Sequence, residues 1–397
     1  MDKIGVIRFR SALSAGDKTL KEEEKAFLSS IDPRGELSFV KAQKTLPNLF
    51  FIQTGGSEIY FKDCYQDYPE PYCLLVQGKR NSLAAALEIK SFLDQKGKRS
   101  LLIAGEPEEM LGQIKTYVRY FEAERRLRKM KLGVIGKPSD WLIASEANYR
   151  DVKKKLGVEL VNVPMKEFLD AYDERVSPES ELTKRFLEKT NRRADLRKAL
   201  YVYTALKNVC AKNKLSGFTL RCFDLLKSRQ MTSCLAYGVL NDEGIIAACE
   251  GDVPTMLTMA LIEALYDMPS FMANPAEIDV KRGTALFAHC TCPLSMTKSY
   301  TLGTHFESGL GFGIRGKFAK TKMTLCKISP DLSKIRALSC RVYDNPVRAD
   351  LCRSQILIRF DDEIDCLLKS PYGNHCVFVN GDKAKDVIAF YSYLLGK

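Results

Sequence analysis

CLLVQGKRNSLAAALEIKSFLDQKGKRSLLIAG (73–105) is the stretch that decides how this chain folds. CLLVQG is short, apolar and ends at a glycine, so it reads as a buried strand. NSLAAALEIKSFLDQKG opens with Asn81 or Ser82 as a capping candidate and closes near Gly97. Within it Leu83, Ala86, Ile89 and Leu93 recur at the spacing that buries one helix face. SLLIAG then supplies a second strand. Strand, helix and strand in close succession imply a parallel sheet with a right-handed crossover.

Working outward, KIGVIRFR (3–10) predicts a first strand of the same sheet, and a long basic helix is expected over 107–130. KLGVIGKPSDWLIAS (131–145) restarts the pattern: strand LGVIG, loop KPSDW, a helix from about residue 147 and strand VELVNV (158–163). One or two amphipathic helices are expected between 177 and 214. GFTLRCFDLL (217–226), SCLAYGVL (233–240) and GIIAAC (244–249) read as short strands, the last two joined by the turn residues NDEG. After about residue 269 helical periodicity fades. TALFAHC, YTLGTHF, KMTLCKIS, IRALSCRVY, SQILIRF and HCVFVNG predict six short strands in a barrel or compact sheet, closed by a helix over 382–396. The expected domains are 1–128, 129–268 and 269–397.

A chain of 397 residues, 45% hydrophobic and 28% charged, is ordinary for a globular protein and argues against disorder. No apolar run approaches the roughly 18 residues that cross a bilayer, and MDKIGVIRFRS does not read as a signal peptide. A cytoplasmic protein without membrane partners is expected. Its 13 cysteines contain no CxxC pair, so they read as reduced, mostly buried small hydrophobes. Lys and Arg number 61 against 49 Asp and Glu, a formal charge of +12. The excess gathers in RRLRKMK (125–131), KKK (153–155) and KRFLEKTNRRADLRK (184–198), which lack the interleaved aromatics that stack on bases. Solvated helix faces are the expectation, and no nucleic-acid partner.

GFGIRG (311–316) matches G-x-G-x-x-G, but a turn and a strand follow it where a dinucleotide fold needs a helix. The chemistry gathers elsewhere. In ACEGDVPTMLTMA (248–260), Glu250 and Asp252 stand where a buried strand gives way to a helix. Asp252 fits helix capping, with Pro254 just inside the helix. Glu250, inside the strand end, is costly to bury unless paired or bound to a cation. The three histidines are His289, His305 and His375, and Glu250, His289 and His375 each adjoin a cysteine. Neighbouring strand side chains point to opposite faces, so each polar residue can face a cleft while its cysteine packs behind. A carboxylate with imidazoles suits Mn²⁺, Zn²⁺ or Fe²⁺.

ACEGDVPTMLTMALIEAL, FMANPAEID, AHCTCPLSM, HFESGLGFG and GNHCVFVNGD, in that order, resemble the L-fucose isomerase and L-arabinose isomerase superfamily, and most of all its uncharacterised fucose-isomerase-like branch. Over the first half of the chain the likeness rests on α/β architecture. The resemblance implies two Rossmann-like, doubly wound α/β domains, then a C-terminal β-rich barrel-like domain, assembled as homo-trimers or hexamers. It also implies Mn²⁺ or another divalent metal, and aldose–ketose interconversion through an ene-diol. By the same likeness Glu250 is the metal-binding and proton-transferring glutamate, His375 the C-terminal ligand, and His289 the second histidine of arabinose-type members. The family aspartate, 24 residues beyond the glutamate, falls on Asn274 (274 − 250 = 24). Asparagine offers a carbonyl oxygen but accepts no proton, so Asp279 is the substitute if the loop bends inward. Arg221 in LRCFD and Asn274 are candidate substrate contacts. Alternatives on the same scaffold are another sugar-processing enzyme, for an acidic or phosphorylated sugar, and a sugar-binding or regulatory protein.

Overall fold

The computed structural model describes residues 2–14, 16–178 and 181–396. The chain divides into two compact units, Met1–Ala123 with Ser392–Lys397, and Glu124–Tyr391. In the first unit β1 (Asp2–Phe9), α1 (Thr19–Ile31), β2 (Leu37–Lys41), β3 (Asn48–Ile52), α2 (Glu58–Cys64), β4 (Tyr72–Val76), α3 (Ser82–Gln95) and β5 (Ser100–Ile103) alternate. The strands form one parallel sheet in the order β2-β1-β3-β4-β5. The β4-α3-β5 segment is the crossover that its sequence predicts. Ala85, Ala86, Ile89 and Leu93 of α3 are buried, whereas Leu83 of the expected stripe is exposed. Phe9, Phe50, Phe61 and Tyr72 knit this core in edge-to-face pairs. A long helix, α4 (Pro107–Lys129), follows.

The second unit begins with β6 (Lys131–Ile135), α5 (Tyr149–Leu156), β7 (Glu159–Val163), α6 (Met165–Asp173), α7 (Glu181–Leu187) and α8 (Arg193–Asn213). Then come β8 (Gly217–Leu220), α9 (Cys222–Arg229), α10 (Cys234–Asp242), β9 (Ile246–Cys249) and α11 (Val253–Tyr266). Its parallel sheet has the order β7-β6-β8-β9. Two expectations fail here. GFTLRCFDLL is strand only to Leu220 and then helix, and SCLAYGVL is helix from Cys234 onward. Parallel β8 and β9 need a crossover, so the chain between them cannot be a hairpin. Residues 234–241 of α10 are all buried, which erases the one-sided apolar stripe by which a helix is recognised in sequence.

A closed barrel of antiparallel strands completes this unit, in the order β10 (Phe271–Asp279), β11 (Thr284–His289), then β16-β15-β14-β17. Between them β12 (Ser299–Gly303) and β13 (Gly313–Lys317) pair as a separate ribbon. The remaining barrel strands are β14 (Lys322–Ile328), β15 (Ile335–Asp344), β16 (Ser354–Phe360) and β17 (Cys376–Asn380), with α12 (Cys366–Lys369) preceding β17. The final helix, α13 (Ala384–Leu395), closes the chain. Five of the six expected strands are barrel staves. YTLGTHF instead contributes to the ribbon, and FMANPAEID takes its place in the barrel. GFGIRG runs into strand β13, with no helix behind it. No helix among the described residues is long and apolar enough to cross a membrane.

Candidate metal centre

In open parallel sheets, crevices form beyond the carboxyl ends of the strands where the strand order reverses. Here that edge is the exit of β6, β8 and β9, and the barrel strands face it. At the exits of β8 and β9 lies a cavity of about 190 Å³ whose lining includes Cys222, Glu250, Asn274, His289 and His305.

Glu250 leaves β9 in the left-handed region, φ +63°, followed by Gly251 at +78°. A side-chain-bearing residue pays to sit there, and such strain gathers at functional sites. A Cβ on Gly251 would lie 2.6 Å from the Cα of Pro138, so only glycine fits beside the 137–141 loop. That loop in turn fixes the glutamate. Ser139 N–H donates to the Glu250 carbonyl (2.9 Å), and the Trp141 indole N–H donates to Oε2 (2.8 Å). The other carboxylate oxygen lies 3.9 Å from Nε2 of His375.

His375, wholly buried, precedes β17 and donates from Nδ1 to Oδ2 of Asp252 at 2.8 Å. Its Nε2 is buried with no hydrogen-bond partner, as is the side-chain oxygen of Asn274. Asp252 caps α11 by accepting from Thr255 N–H (2.9 Å), as its sequence context predicts. It does more than cap. Buried Lys327 of β14 reaches it at 3.3 Å and also touches the Thr255 hydroxyl. Burial pushes the Asp252 carboxyl up, but the Lys327 ammonium and the His375 hydrogen bond outweigh it and hold it well below the usual range. An ionised Asp252 keeps a proton on Nδ1 of His375 and aims Nε2 at Glu250.

His289 ends β11 with Nδ1 on the Thr291 hydroxyl (2.9 Å) and its ring 5.5 Å from that of His375. Burial pushes it down to about 3, so it is neutral near pH 7. One ligand atom each from Glu250, His289 and His375 lies within 4.8 Å of the others. One carboxylate and two imidazoles make a donor set for a divalent first-row cation.

The other sequence candidates divide. Asn274 lines the cavity just before a bulge at 275–277 in β10. Asp279 does not line it. The chain does not bend inward there: β10 stays paired to its last residue, Asp279 opposite Thr284, about 16 Å beyond Asn274 at the usual rise per residue. Asp279 instead accepts from Arg282 N–H (3.0 Å). Arg221 is buried and spent internally, on Asp140 (2.5 Å), Asp224 (3.1 Å) and the Pro138 carbonyl (2.8 Å). It braces the loop that carries Trp141, and it does not line the cavity. Nor do all three cysteines pack behind their polar neighbours: Cys249 and Cys290 line the cavity themselves.

No family model matches this chain. It is similar over most of its length to proteins named sulfoquinovose isomerase. One, from Clostridium sp. (strain MSTE9), is 23% identical over 342 residues, covering 79% of this chain and 75% of that protein. Those of Priestia megaterium and Alkalicoccus urumqiensis are each 20% identical, over 78% and 77% of this chain and 73% of each relative.

Sequence reasoning missed Trp141, Lys327 and Glu307. Trp141 carried a signal, as the single tryptophan of the chain in a loop just after a predicted strand. Lys327 carried another, a charge within the apolar alternation of KMTLCKI. Glu307 lines the cavity from the 304–312 segment, where nothing local distinguishes it.

Proposed function

We propose that this protein is a metal-dependent sugar isomerase that interconverts an aldose and a ketose through an ene-diol, with Glu250 as the base. The observation that carries the reading is Nε2 of His375, buried without a partner beside Glu250 and held in the ligating tautomer by Asp252. A histidine oriented by a buried carboxylate is the usual support of a metal ligand. The likeness to proteins named sulfoquinovose isomerase supports the sugar chemistry.

Glu250, His375 and His289 would hold the cation, with the Asn274 amide oxygen completing the shell. A bound Mn²⁺ supplies Lewis acidity to the substrate carbonyl and to the charge that develops on its oxygen. The chain's own residues do the rest. Trp141 fixes one carboxylate oxygen of Glu250, and the carboxylate takes the C2 proton of the open-chain sugar and returns it to C1. His289, neutral near pH 7, has a ring lone pair to offer. Asn274 contributes an acceptor and no acid–base function. Proton traffic between O1 and O2 then falls to His305 or Glu307, the further imidazole and carboxylate of the lining. That lining has no Lys or Arg among the described residues, so the wall offers a sulfonate or phosphate no cationic side chain. Neutral aldoses therefore belong in the substrate screen beside sulfoquinovose.

The test is divalent metal content after stripping and reloading with Mn²⁺, followed by sugar interconversion read by NMR. Stoichiometric metal in the wild type, lost in Glu250→Gln and His375→Asn, with turnover of an aldose, is the expected result. Wild type that binds no metal refutes the reading. A second reading, a sugar-binding protein without turnover, is favoured by Asn274 where the family has an aspartate; metal and sugar bound without interconversion would support it. The trimer or hexamer implied by the resemblance is proposed alongside, and light scattering decides it.

A further inference from the structure

Five of the 13 cysteines, at positions 222, 234, 249, 290 and 352, line the cavity beside Glu250. One pair is poised for chemistry that the isomerase reading does not use. The sulfurs of Cys222 and Cys249 lie 3.3 Å apart, as a thiol–thiol hydrogen bond. A disulfide needs about 2.05 Å, so closure asks for about 1.2 Å of movement, within reach of small side-chain rotations. The backbone spacing is already fixed, because the β8–β9 ladder sets Leu220 opposite Cys249 and Cys222 follows two residues later.

We propose that Cys222 and Cys249 are an oxidisable dithiol that closes to a disulfide when a hydroperoxide enters the cavity, and that closure weakens cation binding at Glu250. Cys222 is the less buried of the two and meets the oxidant first. Its sulfur attacks the O–O bond of hydrogen peroxide, giving the Cys222 sulfenic acid and one water. The Cys249 sulfur then displaces the sulfenic hydroxyl, which leaves as a second water with the thiol proton. Two thiols have lost two electrons, and the peroxide has gained them. A small dithiol reverses the bridge by exchange.

Each end of the bridge abuts one support of Glu250. Cys249 is its chain neighbour, directly before the left-handed turn. Cys222 directly precedes Phe223, whose ring meets Trp141 edge to face at 4.8 Å, and Trp141 holds the carboxylate. Drawing the sulfurs together displaces both supports. This second half of the proposal rests on the metal reading; the bridge itself does not.

The experiment treats reduced, metal-stripped full-length protein with graded hydrogen peroxide. Thiol pairing is mapped by non-reducing peptide mass spectrometry, and Mn²⁺ is titrated against the fluorescence of Trp141, the single tryptophan. The expected map links Cys222 to Cys249, reversibly with dithiothreitol, and Mn²⁺ affinity falls about tenfold, the scale on which displaced support residues act. In Cys222→Ala, whatever its starting affinity, peroxide leaves Mn²⁺ binding unchanged. A bridge among Cys234, Cys290 and Cys352 instead, or Cys222 over-oxidised without a bridge, overturns the dithiol. A Cys222–Cys249 bridge with undiminished Mn²⁺ affinity overturns the coupling. Reduced wild type that binds no Mn²⁺ sinks the metal reading, while the peptide map still decides the bridge.

Discussion

Replacing Asp252 by Asn separates the support of the candidate centre from the support of the fold. Asp252 is fully buried and serves three partners: Thr255 N–H, His375 Nδ1–H and the Lys327 ammonium. Asparagine keeps the cap, since its oxygen accepts from Thr255 equally well. What it removes is the charge opposite Lys327, which is 2% exposed and is left with the Thr255 hydroxyl. Breaking one side of a buried ion pair costs about 3–5 kcal/mol. Urea unfolding followed by Trp141 fluorescence reads the unit that contains the pair. The same variant weakens the electrostatic hold on the His375 tautomer, so Mn²⁺ affinity should fall about 10–100-fold. The two losses part company in Asp252→Asn/Lys327→Met. Removing both charges restores most of the stability, because no unpaired buried ion remains, yet metal affinity stays low. A stability loss under about 1 kcal/mol in Asp252→Asn, against the 3–5 expected, would refute the reasoning. So would a double variant that regains metal affinity along with stability.

Three further outcomes follow from the geometry. Gly251→Ala places a Cβ 2.6 Å from backbone at φ +78°, and should cost about 3 kcal/mol in the same unfolding assay. Burial, then Asp267, pushes Glu263 of α11 up to about 7. Its folded pKa thus exceeds its unfolded one, so stability is intact below about pH 4.5 and is lost as pH rises towards 7. Glu263→Gln should therefore stabilise the protein at pH 8 by about 1 kcal/mol, after discounting for its partly exposed position, and by nothing at pH 4. Melting curves at the two pH values check both magnitude and sign. Trp141→Phe keeps the edge contact to Phe223 but loses the hydrogen bond to Glu250. Because the indole is half exposed, unfolding stability should stay within about 0.5 kcal/mol. Calorimetry should show Mn²⁺ binding weakened by up to about tenfold.

By itself the sequence determined what depends on short-range order. The β4-α3-β5 crossover is legible because one face of α3 is buried and the other solvated, which leaves a helical period in the residues. Asp252 is legible as a cap because capping is settled within three residues. Glu250, His289 and His375 can be singled out because a carboxylate at a buried strand end and scarce histidines at strand edges are costly unless used. What has no local period is not legible. Helix α10 is apolar all round because it is buried all round, and so it passes for a strand. Asp279 sits five residues from Asn274, close in sequence, but an extended strand carries it to the far end of β10. Only the tertiary structure decided that Asp252 holds His375, that Lys327 neutralises it from a strand 75 residues away, and that two thiols meet beside Glu250. Each is a contact between segments distant in sequence, set by sheet order and barrel closure, and the residues on either side carry no local record of it.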